Sequence, residues 1–378
     1  MTTRALILMC TLLPTVCGCR IEPPLHLRQT LDLEIALELD LNVDLVWQAD
    51  WDTRWTYSWN ADVLGELGYE APASIRMHAY AWGADGQIRS EQVYNFMGTS
   101  SSVKAVAGTY DFLFYNNDSE TLLFDTSYEG RDVYAYTRMV SSGLQDSSPV
   151  KSRSQKAADT KAETEMKAAD DPVVLQPDCL FSLYVPEQFI SDDPDDYEYI
   201  DGRYVVRVGG TLHPSNFIWL IQIRLLNNNG RVLGSAGGCA LTGLAAGVDL
   251  QTGISGTSAV SVPTDVRINR AADPDLMGAR LVSFGIPGCN AYDPQSVAAA
   301  PAGDHFLVLS IAYNDGGYKN IHVDVTDQVR ALPTGGVITL ELDVDDFPPE
   351  EGHQGGGGGF NPLLNDWTTY EGGHTVIN

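Results

Sequence analysis

LDLEIALELDLNVDLVW, residues 31–47, carries an apolar side chain at every odd position. The positions between are mostly acidic or amide: Asp32, Glu34, Glu38, Asp40, Asn42 and Asp44. Successive side chains of a strand face opposite ways, so the leucines share one side; on a helix they would scatter around the circumference. The stretch is therefore β. At about 3.3 Å per residue it would extend over roughly 50 Å, taller than most sheets, which predicts a bend, a bulge or a crossing between sheets. Evenly spaced carboxylates on one exposed face do not close around an ion, so a metal ladder is not expected. Trp47, Trp51, Trp55 and Trp59 follow at intervals of four, with Asp50, Asp52, Arg54 and Asp62 among them. In a continuous strand they share a face. Trp51, Trp55 and Trp59 are accordingly candidates either for core packing or for stacking a sugar ligand.

Shorter versions of the pattern recur downstream. SIRMHAYAW (74–82) and QIRSEQVYNF (87–96) flank a Gly83-Ala84-Asp85-Gly86 turn and predict a hairpin. GTYDFLFYN and TLLF form another around Asn117 and Asp118, and 132–139 is a further strand. Strands resume from Cys179, where Asn229-Gly230 predicts a type I′ hairpin and NDGG (314–317) a second one. AGTYDFLFYNND (107–118) echoes AGDHFLVLSIAYND (302–315), an expression either of two related sandwiches or of chance likeness between hairpins.

A chain of 378 residues suggests two or three domains. Residues 1–18 read as a signal peptide: Arg4, then an apolar run of about 12 residues, too short to span a bilayer. It ends in VCGC, where Gly18 precedes Cys19 as in a bacterial lipobox, making Cys19 the candidate lipidation residue and acyl chains the membrane anchor. The expected division is an N-terminal β-sandwich over 19–140, a polar linker or insertion over 141–178, and a C-terminal β-sandwich over 179–347. A flexible tail over 348–378 would follow, with five consecutive glycines and a short aromatic peptide.

Fifty acidic residues against 23 basic ones give a formal charge of −27, which repels phosphate backbones and excludes general nucleic-acid binding. No GxSxG elbow, phosphate loop or paired metal-ligand spacing occurs, so no catalytic residue, metal or cofactor is expected. The seven histidines are scattered, with His305 and His322 placed in strands as possible neighbours. The acidic stretch 191–202 reads as a solvated loop rather than a calcium site, because a proline interrupts it. After Cys19 three cysteines remain, Cys179, Cys239 and Cys289; one pair plus a free thiol and three thiols are both open.

Taken together, Cys19, EPPLHL (22–27), DLVWQADWDTRW (44–55), YDFLFYNND (110–118), VDVTDQV (323–329) and the Gly-rich end resemble the fimbrillin-like lipoproteins of Bacteroidota, similar to the anchor subunits of their fimbriae. The resemblance implies an all-β chain of two tandem transthyretin-like β-sandwich domains, non-catalytic, lipid-anchored at the outer membrane and exposed on the cell surface. Its implied partners are fimbrial shaft or accessory subunits, joined by β-strand addition. It further implies that shaft subunits lose their first strand while anchors keep theirs. The alternative is a surface glycan-binding lipoprotein, with a host or glycan ligand stacked on the tryptophans.

Overall fold

The structure is a computed structural model and describes residues 35–45, 68–128, 132–140, 171–235, 239–271, 273–293, 303–349 and 368–369. Cys19, Trp47, Trp51, Trp55 and Trp59 lie outside the described residues, as do the signal peptide, 141–170 and most of the tail.

The alternating stretch forms β1 (Ile35–Val43). Ile35, Leu37, Leu39 and Leu41 are almost wholly buried, whereas Asp40 and Asn42 are exposed. Each such side chain contributes about 1.5–3 kcal/mol of burial. The strand stops at Val43, and the amide of Asp44 bonds to Leu212 O, so among the described residues it is about half the length of the alternating run. β2 (Ser74–Trp82), β3 (Ile88–Met97), β4 (Ser100–Ala105) and β5 (Gly108–Asn116) follow. The hairpin β6 (Leu122–Tyr128) and β7 (Asp132–Thr137) comes next, then β8 (Phe181–Ile190), β9 (Glu198–Ile200) and β10 (Arg203–Pro214). β3, β2, β5 and β8 pair in that order. β1 lies between β4, antiparallel, and β10, parallel. The two layers join where His213 and Pro214 of β10 meet Ser182 and Phe181 of β8. Leu37, Leu39, Met77, Phe112, Phe114 and Phe181 fill the space between them.

The second unit begins with β11 (Phe217–Leu226), β12 (Val232–Ser235), β13 (Cys239–Ala245), β14 (Gly247–Asp249) and β15 (Ala259–Thr264). β16 (Arg267–Asn269), β17 (Leu276–Ser283), β18 (Phe306–Tyr313) and β19 (Tyr318–Asp324) follow. The helix α1 (Thr326–Ala331), β20 (Gly336–Asp343) and β21 (Thr368–Thr369) complete the order. Here β15, β13, β18 and β19 pair in order, and β11 lies between β17, antiparallel, and β20, parallel. This is the layout of the first unit, strand for strand: the first strand parallel to the last and antiparallel to a middle one, facing a four-strand layer. β5 and β18 hold equivalent places, so the sequence echo between 107–118 and 302–315 falls on matching strands.

Three expectations change. The expected C-terminal sandwich over 179–347 includes residues 181–214, but β8 and β10 pair with β5 and β1, so pairing changes partner between Pro214 and Phe217 rather than at 179. Asn229 and Gly230 do adopt positive φ (47° and 75°), yet no hairpin results. β11 pairs with β17 and β20, while β12 pairs with β18, so the turn carries the chain from one layer to the other. Local backbone chemistry set the turn; the strands' remote partners set what it joins. His305 and His322 are not neighbours either, because the register puts His322 opposite Val308. The NDGG hairpin is present, joining β18 and β19.

Between β5 and β8, where the second unit has only the NDGG turn, the first unit holds a long insertion. Its β7 pairs with β14 of the second unit. Gly247 makes that approach possible, since a Cβ there would meet Ala135 O at 2.3 Å. Leu113, Tyr115, Val133, Ala135, Val248, Leu250 and Phe284 form one apolar cluster across the junction.

Candidate functional site

Two features at the surface arise from this arrangement: the lateral edges of the sandwiches, and a cleft where the units meet. A sheet edge presents unpaired backbone groups and is a template for another strand unless it is covered. In the second unit β15, β17, β19 and β20 each have a cover. Ser261 of β15 exchanges backbone bonds with Pro172 O (2.9 Å) and Val174 N (3.1 Å). β16 lies beside β17, and β21 beside β19. On β20 the side chain of Gln328 replaces a strand: its amide donates to Thr339 O and its carbonyl accepts from Thr339 N, at 3.0 and 2.9 Å.

The first unit differs. Among the described residues β3 pairs only with β2, and β4 only with β1. β3 exposes Val93 (48%) and Met97 (75%), and its Tyr94 and Phe96 pack only partly against the core. The equivalent strand of the second unit, β15, is mostly buried.

The junction cleft has a volume of about 410 Å³ and is lined by Glu70, Asp118, Glu120, Asp178, Cys179 and Arg280, among others. Its polar groups are largely spent on structure. Asp178 accepts from the Ser119 hydroxyl (2.7 Å) and from the amides of Glu120 and Thr121. Burial pushes its carboxyl pKa up, but these donors more than offset that, and the net shift is downward. Two buried asparagines hold the incoming chain. Asn116 bonds Cys179 O and Phe181 N, and Asn216 bonds Asp178 O and Leu180 N. Each amide thereby stands in for a neighbouring strand.

No family model and no curated protein matches this chain. Solved structures do. The chain is similar to a candidate adhesin from Bacteroides ovatus at 16% identity and TM-score 0.46, covering 84% of this chain and 94% of that one. It is similar to the fimbrial anchor protein Mfa2 from Porphyromonas gingivalis at 10% identity and TM-score 0.39, covering 82% and 90%. It is also similar to the tip fimbrial protein Mfa3 from the same organism at 10% identity and TM-score 0.32, covering 84% and 96%.

Among the described residues no cluster of His, Cys, Asp or Glu has the geometry of a metal site. The acidic loop is exposed, and Asp193 caps a short turn by accepting from the Asp195 amide (3.0 Å). Cys179, Cys239 and Cys289 are all free thiols, which resolves the open pairing; burial raises the pKa of Cys239 and Cys289. Burial likewise lowers the pKa of His78 and His305, and brings that of His322 down to about 4. His78 is held between Glu91 (2.5 Å) and the Tyr115 hydroxyl (2.9 Å). Sequence reasoning missed Asn116, Asn216 and Gln328. The signal was faint: Asn116 and Asn216 stand at the ends of apolar strands and Gln328 in a short helix, indistinguishable from turn formers and surface residues until their partners are known.

Proposed function

We propose that this chain is a non-catalytic surface lipoprotein, anchored through Cys19, that serves as an anchor or accessory subunit of a fimbrial filament and joins its neighbours by β-strand addition. The observation that carries the reading is the seat of β1. It is an inner strand, with a leucine face in the core and a pleated edge bonded to β4 and β10 on either side. It is also the first strand among the described residues, and its loss would open a long apolar groove. The reading takes this strand as kept, as an anchor's would be. The resemblance of the sequence to fimbrillin-like lipoproteins supports the same reading.

Purified surface filaments from the native cells should contain this chain, and Cys19→Ala should move it from the membrane fraction to the soluble fraction. Filaments lacking the chain would refute the subunit role. Retention of Cys19→Ala in membranes would refute the anchor. The glycan-binding alternative rests on Trp51, Trp55 and Trp59, and no observation among the described residues favours it.

A further inference from the structure

In both units the strand by which the chain enters lies parallel to the strand by which it leaves. β1 pairs with β10 from Ile35↔Tyr204 to Val43↔Leu212, and β11 pairs with β20 from Trp219↔Gly336 to Leu226↔Asp343. The chain enters the first unit at Ile35, at one end of this seam, and leaves from Pro214 at the other, directly into Phe217 of β11. The second seam likewise ends at Asp343, at the end opposite its start, and Val344 and Phe347 just beyond it remain in that unit's core.

We infer that the two parallel seams are shear clamps, which make this chain resistant to tension applied between its N-terminal side and the far end of the second unit. Pulling Ile35 one way and Pro214 the other slides β1 along β10. All the backbone bonds of the seam are then strained together, and none can break without the rest. Had the two strands been antiparallel, with entry and exit at the same end, the same pull would open the bonds one after another. The second seam is loaded in the same sense, because Phe217 is drawn toward the first unit and Asp343 away from it.

Side chains reinforce sliding resistance at both seams. Glu38 and Arg207 are register partners and form an ion pair at 3.7 Å; Arg224 and Glu341 are register partners and do so at 3.2 Å. Gln222 also bonds its register partner Thr339 (2.8 Å), and Asn227 bonds Asp343 (2.8 Å). An exposed ion pair such as Glu38–Arg207 adds little to thermal stability, whereas the Gln222–Thr339 bond is buried. A slip of one residue would nevertheless break each of them and turn the leucine face out of the core. Close backbone contact is part of the design: Gly209 sits against Asp40 O, where a Cβ would come within 2.5 Å. The inference needs only strand direction and register, and it stands whether or not the chain belongs to a filament.

Single-molecule pulling on the full chain tests it without any destabilising substitution. One pair of handles is attached just before Ile35 and at an azide-bearing residue replacing Pro348. A second pair is attached just before Ile35 and at an azide-bearing residue replacing the exposed turn residue Asp201, which lies at the same end of the seam as Ile35. The first geometry shears β1 against β10 and the second peels it. Forced unfolding is governed by the unfolding rate under load, so at equal loading rate the first should require at least about twofold higher force. Equal forces in the two geometries would overturn the inference, as would end-to-end rupture at the lower value.

Discussion

β3 and β15 occupy the same place in two copies of one layout, yet β15 is covered and β3 is open among the described residues. The cover is three residues, Pro172–Val174, delivered by the insertion that separates β5 from β8. One unit's extra chain thus finishes the other unit's edge. What the comparison teaches is that an edge in this fold is completed by whatever extended segment reaches it, and that its exposure is a matter of supply rather than of strand type. It also shows three grades of cover: backbone on β15, a side-chain amide on β20, and none on β3.

Breaking the covered edge should have the largest effect. Val174 is 6% exposed and belongs to the second unit's core, so Val174→Asp should cost about 3–5 kcal/mol in denaturant unfolding. Val93→Asp on the open edge should change stability by no more than about 0.5 kcal/mol. Equal losses would mean that β3 is covered too. Asn216→Ala comes next. It strands the Leu180 amide and Asp178 carbonyl in the buried junction and should cost about 2–3 kcal/mol. Gln328→Ala removes the amide cover of β20 nearer the surface, and should cost about 1 kcal/mol while speeding hydrogen exchange at Thr339.

Acid should separate the units more gently. The folded pKa of His322 is about 4 against an unfolded value of 6.5, so the unfolded chain binds the extra proton first. Stability is therefore complete above about pH 6.5 and is lost progressively as the pH falls toward 4, below which the contribution is exhausted. His305 acts in the same direction, and so does His78 in the first unit. His322→Gln should flatten the pH dependence of the melting temperature across that window. The smallest effect is chemical: half-buried Cys179 should react with a thiol reagent in the native state, and Cys239 and Cys289 only on unfolding.

Much of the first unit was legible because its strands alternate and its turns are local. The leucine face of β1 and the span of β2 follow from side-chain period, and in the second unit the NDGG turn follows from backbone φ. What was hidden is pairing. Nothing in residues 181–214 says that β8 and β10 belong with β5 and β1, because that depends on contacts made more than 60 residues apart. Asn229-Gly230 shows the limit most sharply: its conformation was foreseen and its role was not. The candidate site was less legible still. An open edge is defined by what is missing beside it, and the tryptophans that drew the eye lie outside the described residues.

β1 has one further consequence, in time. It is made first and pairs with β10, whose residues follow roughly 170 positions later, a delay of about ten to thirty seconds at ordinary synthesis rates. Until then it has only β4 beside it, made about 60 to 70 positions after it, and its other edge is open, the kind of segment that aggregates. Its acidic and amide positions, Glu38, Asp40, Asn42 and Asp44, do little for the finished sandwich beyond solvation and a surface ion pair. Charges interspersed along an exposed strand oppose its aggregation, so the alternation that specifies the strand also suits it to the wait before the fold exists.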